Sequence, residues 1–267
     1  MKVALVSLDQ QWLDKEANLA RCAVLTAEAR SHGCDLVVFP EMTLTGYSLD
    51  VDAIVEPEHG SHTLASFGMQ AKANGLSLVF GACLSDPVTG RARNLLCLAQ
   101  PDGTSNAIYA KVHPFSLVGE EKVIEAGSHL GVTRIGAMTF GATVCYDLRF
   151  AELYGAYAPD CDAAIVIASW PLRRIAHWRA LLVARAIENQ FYMIGVNRIG
   201  TDGNGVAHEK SSMVVGPDGT VLQPLIQGEE MDVYRVDAGV TKRYRDDFPT
   251  IRDKRYSLYR ELQRTRE

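Results

Sequence analysis

Short apolar runs alternate with amphipathic stretches of helical period along nearly the whole chain, and this alternation confines it to a layered α/β architecture. Residues 3–8 read as a strand and 13–30 as a helix that stops at His32 and Gly33. A second strand over 35–39 ends at Pro40, followed by a helix over 63–74 and a strand over 76–83. A hairpin is expected from 95–99 and 105–109 around Pro101, Asp102 and Gly103, with a loop-like stretch over 111–127 behind it. The pattern continues with a strand over 137–145, a short helix over 152–157, a strand over 163–169, a helix over 172–189 and a strand over 191–196. Gly216, Pro217, Asp218 and Gly219 turn a late hairpin, and 231–236 is the last strand. Hairpins mixed with crossover helices predict mixed sheets with helices packed outside them.

No linker, low-complexity tract or repeat interrupts this pattern, so one domain over 1–267 is expected, with the charged residues 256–267 as a solvated C-terminal tail. The composition, 47% hydrophobic and 22% charged, supplies a core without covalent staples. A net charge of −5 argues against a nucleic-acid surface. The apolar run at the start gives way to Asp9 and Gln10 before it reaches the length of a signal peptide, and no run approaches a membrane span. A soluble cytoplasmic protein with no nucleic-acid or membrane partner is the expectation. The six cysteines are widely spaced with no CxxC, which favours reduced thiols. No His, Cys or carboxylate cluster has metal-ligand spacing, and the loop from Gly200 to Gly205 lacks the GK[ST] ending of a phosphate cradle, so neither metal nor cofactor is expected.

Three polar residues stand where apolar runs end: Glu41 closes DLVVFPE, Lys111 closes AIYAK, and Cys145 closes TFGATVC. Strand ends are where open α/β sheets build ligand sites. Amide cleavage needs a nucleophile, a proton shuttle and a cation or donor for the developing oxyanion. A thiol, a carboxylate and an ammonium supply these, and a helix start after Cys145 would favour its thiolate. Taken singly, each residue also has a plainer reading: a turn residue, a solvated strand end, a core thiol.

The segments VVFPEMTLTGY, YAKVHPF and VCYDLRFAELY resemble, in order and separation, the three signature blocks of the nitrilase superfamily, the carbon–nitrogen hydrolases. The likeness continues through SWPLRRIAHWRALLVARAIENQFYMIGVNRIGTDGNG to GPDG, most of the chain. This resemblance implies a four-layer α-β-β-α sandwich of two mixed sheets with helices outside. It also implies a Glu41–Lys111–Cys145 triad acting through a thioester, and assembly as a homodimer or higher homo-oligomer. The dimer would form through helices beside the nucleophile strand. A second site glutamate falls on Glu120, seven residues before Gly127, with Glu121 as the alternative.

Tyr146, following the nucleophile, offers a backbone N–H for the oxyanion. Arg149 and Glu152 read as a helical pair, His113 as a packing histidine, and His177 with Trp178 as core. Within the superfamily the later segments look most like the omega-amidases, which hydrolyse a terminal amide of a 2-oxo dicarboxylate such as 2-oxoglutaramate. The alternatives are a deaminated-glutathione or carbamoyl amidase, a nitrilase, and a catalytically silent scaffold. Trp170 and Arg174 are the further substrate-contact candidates, Arg174 as a carboxylate anchor beside a more exposed Arg173. The sequence departs from the usual pattern at Ser169 and across His208 to Ser211, both candidates for lining the pocket.

Overall fold

The computed structural model describes residues 1–264. One sheet runs in the order β14 (Ile226–Gln227), β15 (Met231–Arg235), β1 (Lys2–Val6), β2 (Leu36–Val38), β4 (Ser77–Ser85), β5 (Ala92–Ala99), β6 (Ser105–Ala110), with β3 (Glu56–Pro57) beside β4. The other runs β13 (Met213–Val215), β10 (Tyr192–Asn197), β9 (Ala163–Ala168), β8 (Met138–Val144), β7 (Gly131–Ile135). Each sheet has a parallel centre, β1–β2–β4 in one and β8–β9–β10 in the other, flanked by antiparallel strands. A small hairpin of β11 (Gly200–Thr201) and β12 (Ala207–His208) stands apart.

Strand periodicity explains the layering. Along β1, Val3 and Leu5 turn into the space between the sheets, where they meet Phe140, Ile165 and Ile167. The alternate residues Ala4 and Val6 face outward, onto Cys22, Leu25 and Ala29 of α1 (Lys15–Ser31) and onto Phe67 and Ala71 of α3 (His62–Asn74). In the second sheet Ala164 and Val166 pack outward on Tyr154 and Tyr157 of α5 (Ala151–Tyr157) and on Trp178 and Leu182 of α6 (Ile175–Asn189). Three apolar interfaces therefore separate four layers, α-β-β-α, and the expected fold class is borne out.

Several boundaries differ from the sequence reading. The loop-like stretch 111–127 contains a 3-10 turn, Ser116–Val118, and the short helix α4 (Glu120–Val123). Strand β7 was not expected, because Gly131, Thr133 and Arg134 dilute the apolar signal of GVTRI. The helix expected over 172–189 divides into a 3-10 turn, Leu172–Arg174, and α6. Two helices were also missed, α2 (Val51–Ile54) and α7 (Ala238–Asp247). The Gly216–Gly219 turn does close a hairpin, held by a single bridge between Val215 and Val221. The expected tail is helical where it is described, as α8 (Tyr256–Arg264), with Tyr256 and Tyr259 partly exposed; 265–267 lie outside the described residues. No helix among the described residues is long and apolar enough to cross a membrane.

One backbone approach fixes the entry to the site. The turn after β2 presses onto β4, with Thr43 N–H donating to the Gly81 carbonyl and Gly81 N–H donating to Thr43 Oγ1. A Cβ on Gly81 would sit 2.3 Å from the Met42 nitrogen, so only glycine lets this turn reach the sheet.

Candidate active site

The residues expected to carry chemistry leave the ends of β2, β6 and β8 and converge. Glu41 lies in the turn after β2, which is clamped by Gln10. That side-chain amide donates to the carbonyls of Glu41, Met42 and Thr43 at 3.0, 2.8 and 3.1 Å. Lys111 follows β6 and is tied down where its N–H donates to the Asn94 carbonyl. Cys145 follows β8 and opens a 3-10 turn, Cys145–Arg149, with φ at 48°, a left-handed conformation that only surrounding structure sustains in a non-glycine residue. Asp147 supplies that support. Its buried carboxylate accepts from Val144 N–H, from Tyr109 hydroxyl, and from His113 at both N–H and Nδ1.

Glu41, Lys111 and Glu120 are fully buried together. Lys111 Nζ lies 3.2 Å from Glu41 Oε1 and 2.7 Å from Glu120 Oε2. Asn94 Nδ2 donates to both carboxylates, at 2.8 Å to Glu41 Oε1 and 3.1 Å to Glu120 Oε1. Glu41 Oε2 accepts Ser169 N–H from the far sheet at 2.9 Å, and Glu120 Oε2 accepts Phe115 N–H at 2.6 Å. Of the two candidate glutamates the geometry brings Glu120 into the cluster and leaves Glu121 exposed.

The electrostatics follow from this packing. Burial opposes charge on Lys111, but Glu41 and Glu120 outweigh it and hold the ammonium well above the ordinary lysine range. Burial likewise opposes charge on Glu120, and Lys111 and the hydrogen bonds around it prevail, keeping it below the usual carboxylate range. The Cys145 thiol moves up, first through desolvation and then through Glu41, with Lys111 pulling the other way. The expectation that a helix start would favour the thiolate is corrected here. Cys145 heads a five-residue 3-10 turn rather than an α-helix, and its surroundings shift the thiol up rather than down.

A cavity of about 510 Å³ opens over this cluster. Glu41, Lys111 and Cys145 line it, and so do the candidates Tyr146, Trp170 and Arg174. Arg173 and Arg149 line it as well. The expected pairing of Arg149 with Glu152 does not occur. The chain turns at Phe150 between the 3-10 segment and α5, so a three-residue spacing does not put the two on one helix. Arg149 instead lies over the Trp170 ring at 4.7 Å, and Arg174 over Phe115 at 5.4 Å. None of the three arginines forms an ion pair among the described residues. Burial and then the charges of Arg173 and Arg149 push Arg174 below the ordinary arginine value, the signature of cations crowded without a counter-ion.

Of the departures noted in the sequence, Ser169 and His208 line the cavity while Glu209, Lys210 and Ser211 do not. His113 stacks on Phe150 at 3.7 Å, as a packing histidine. Trp178 is core, but its neighbour His177 is exposed, a correction to the joint reading. Among the described residues no group of three His, Cys, Asp or Glu could hold a metal ion.

The carbon–nitrogen hydrolase family model matches residues 2–246, across both sheets and every cavity-lining strand end. The chain belongs to this family. As a carbon–nitrogen hydrolase it is an enzyme that acts on C–N bonds. It is similar to Omega-amidase YafV of Escherichia coli (strain B / BL21-DE3), at 32% identity over 95% of this chain and 96% of that one. It is also similar to the 2-oxoglutaramate amidase of Paenarthrobacter nicotinovorans, at 33% identity over 84% and 80% of the two chains. In structure it matches a CN-hydrolase superfamily protein of Xanthomonas campestris with a TM-score of 0.87 and 27% identity, covering 95% of this chain and 97% of that one.

Asn94, Gln10 and Asp147 are the site residues that sequence reasoning missed. Asn94 does leave a trace, as the polar residue in the otherwise apolar NLLCLA, where an unpaired amide would be costly.

Proposed function

We propose that the chain is a cysteine-dependent amidase that hydrolyses the terminal amide of a small carboxylate-bearing substrate, of which 2-oxoglutaramate is the type. The observation that carries this reading is the set of unpaired cations, Arg149, Arg173 and Arg174, in the cavity that holds Cys145. Cations this placed are complementary to an anion. The names of the relatives support the same substrate class.

The proposed steps are these. Glu41 takes the Cys145 proton as sulfur attacks the amide carbon, forming the C–S bond. The oxyanion is held by Lys111 and the Tyr146 N–H. Collapse breaks the C–N bond, and Glu41 returns the proton to the leaving ammonia. Glu41 then deprotonates a water that attacks the thioester carbon. The C–S bond breaks, Glu41 returns that proton to sulfur, and the product acid loses its own proton to solvent and leaves as a carboxylate. Glu120 and Asn94 keep Lys111 and Glu41 in register throughout.

Ammonia release from 2-oxoglutaramate, glutamine, butyramide and a nitrile tests the reading, with turnover expected to be best on 2-oxoglutaramate. Arg174→Ala is expected to raise KM for 2-oxoglutaramate roughly 10–100-fold, the scale of one charge-assisted hydrogen bond, and to change it little for butyramide. Equal effects on the two amides would remove Arg174 as the anchor.

We also propose a homodimer. Ile187 of α6 and Leu172 just before that helix leave apolar side chains exposed on the outer layer. Light scattering at micromolar protein should give a mass of two chains or more; a monomer mass would refute the pairing.

A further inference from the structure

One wall of the cavity comes from the hairpin of β11 and β12, which contributes Asp202, Asn204 and His208. The hairpin is held in place. Asp202 Oδ1 accepts the N–H groups of Asn204 and Val206, both at 2.9 Å. The loop lies directly on Trp12, itself a cavity residue, because a Cβ on Gly203 would fall 2.4 Å from the indole ring. His208 is therefore presented by a fixed support rather than a free loop.

His208 is 8% exposed, and its Nδ1 is buried with no hydrogen-bond partner. Nδ1 is shut away from solvent, so His208 meets an entering molecule through the part of the ring that lines the cavity. Burial, and then the guanidinium of the fully buried Arg198, move His208 below the ordinary histidine range and keep the ring neutral. A neutral imidazole donates from one nitrogen and accepts at the other. It contributes a dipole and no charge, so it complements the arginines and does not duplicate them.

We propose that His208 is a specificity-determining residue that hydrogen-bonds the substrate, selecting amides with an acceptor such as a 2-oxo oxygen beside the carboxylate. The inference rests on the carboxylate-amidase reading and refines it. The arginines bind the carboxylate, and His208 reads the neighbouring carbon. A site built to hydrogen-bond a substrate group discriminates strongly against the analogue that lacks it.

The experiment compares 2-oxoglutaramate with glutaramate, which is the same molecule without the oxo group. Ammonia release gives kcat/KM for each, and the ratio of the two is read within one preparation, so any misfolded fraction cancels. Wild-type enzyme should favour 2-oxoglutaramate by about tenfold or more. His208→Phe, which keeps the ring and loses both nitrogens, should bring the ratio close to one. His208→Gln, which restores a donor, should recover part of it. A ratio that His208→Phe leaves within twofold of wild type overturns the assignment. So does a wild-type enzyme that turns over glutaramate as well as 2-oxoglutaramate, and in that case the carboxylate-amidase reading stands. Turnover of butyramide with neither acid cleaved overturns the carboxylate reading itself, and His208 with it.

Discussion

Cys145→Ala is expected to abolish ammonia release, by roughly 10⁴–10⁶-fold, the scale seen when a covalent nucleophile is deleted. The fold should survive. Alanine meets the same left-handed backbone that cysteine already tolerates, and Asp147 still ties Val144 to His113 across the turn. Cys145→Ser should fare little better, because the less acidic hydroxyl is a harder proton for Glu41 to remove. The same residue can be tested without mutation. Cys22, Cys34, Cys83, Cys97 and Cys161 are all buried, and only Cys145 is half-buried with an opening to the cavity. Iodoacetamide should therefore label Cys145 first, with activity falling in step. Mass spectrometry that finds activity lost while Cys145 is still unmodified would end its assignment as nucleophile.

The second large effect is expected at Glu41 and Lys111. Glu41→Gln keeps the shape but removes the base and turns one of the two acceptors that meet Asn94 and Ser169 into a donor, and turnover should drop by about 10²–10⁴-fold. If Glu41 takes the thiol proton, alkylation of Cys145 should slow in the same variant. An effect on catalysis with no effect on alkylation would separate Glu41 from the thiol proton. Lys111→Met is the wrong probe. It leaves Glu41 and Glu120 buried without their cation, and breaking a buried pair costs about 3–5 kcal/mol of stability. Lys111→Arg keeps the charge but cannot rescue, since a planar fork does not fit where a compact ammonium sits 2.7 Å from one carboxylate and 3.2 Å from another. Near-wild-type kcat in Lys111→Arg would remove the requirement for a point cation at the oxyanion.

The positions of Glu41, Lys111 and Cys145 at strand ends could be read directly, because Glu41 and Lys111 are the first charged residues after apolar runs and Cys145 closes one. That they meet could not, since spacing along a chain says nothing about contacts across two sheets; it came from the resemblance. The same limit hid Gln10, whose amide reaches residues 41–43, and Asp147, which joins the Lys111 segment to the Cys145 turn. Arg149 was misread for a local reason, a break at Phe150 that no glycine or proline announces. His208 was legible only as a departure from a pattern, and its lack of a partner is a fact of packing.

The hydrogen bond from Ser169 N–H to Glu41 Oε2 spans 128 residues of sequence and joins one sheet to the other, and the Lys111–Glu41 contact spans 70. Such contacts carry a high loop-closure cost and form late. Before the sheets dock, Cys145 lacks both the Glu41 carboxylate proposed as its base and the Lys111 ammonium proposed to receive an oxyanion. A nascent or partly folded chain is thus chemically silent, and amide turnover reports completed tertiary assembly. Hydrolytic power is withheld from every intermediate by the order in which the molecule is put together.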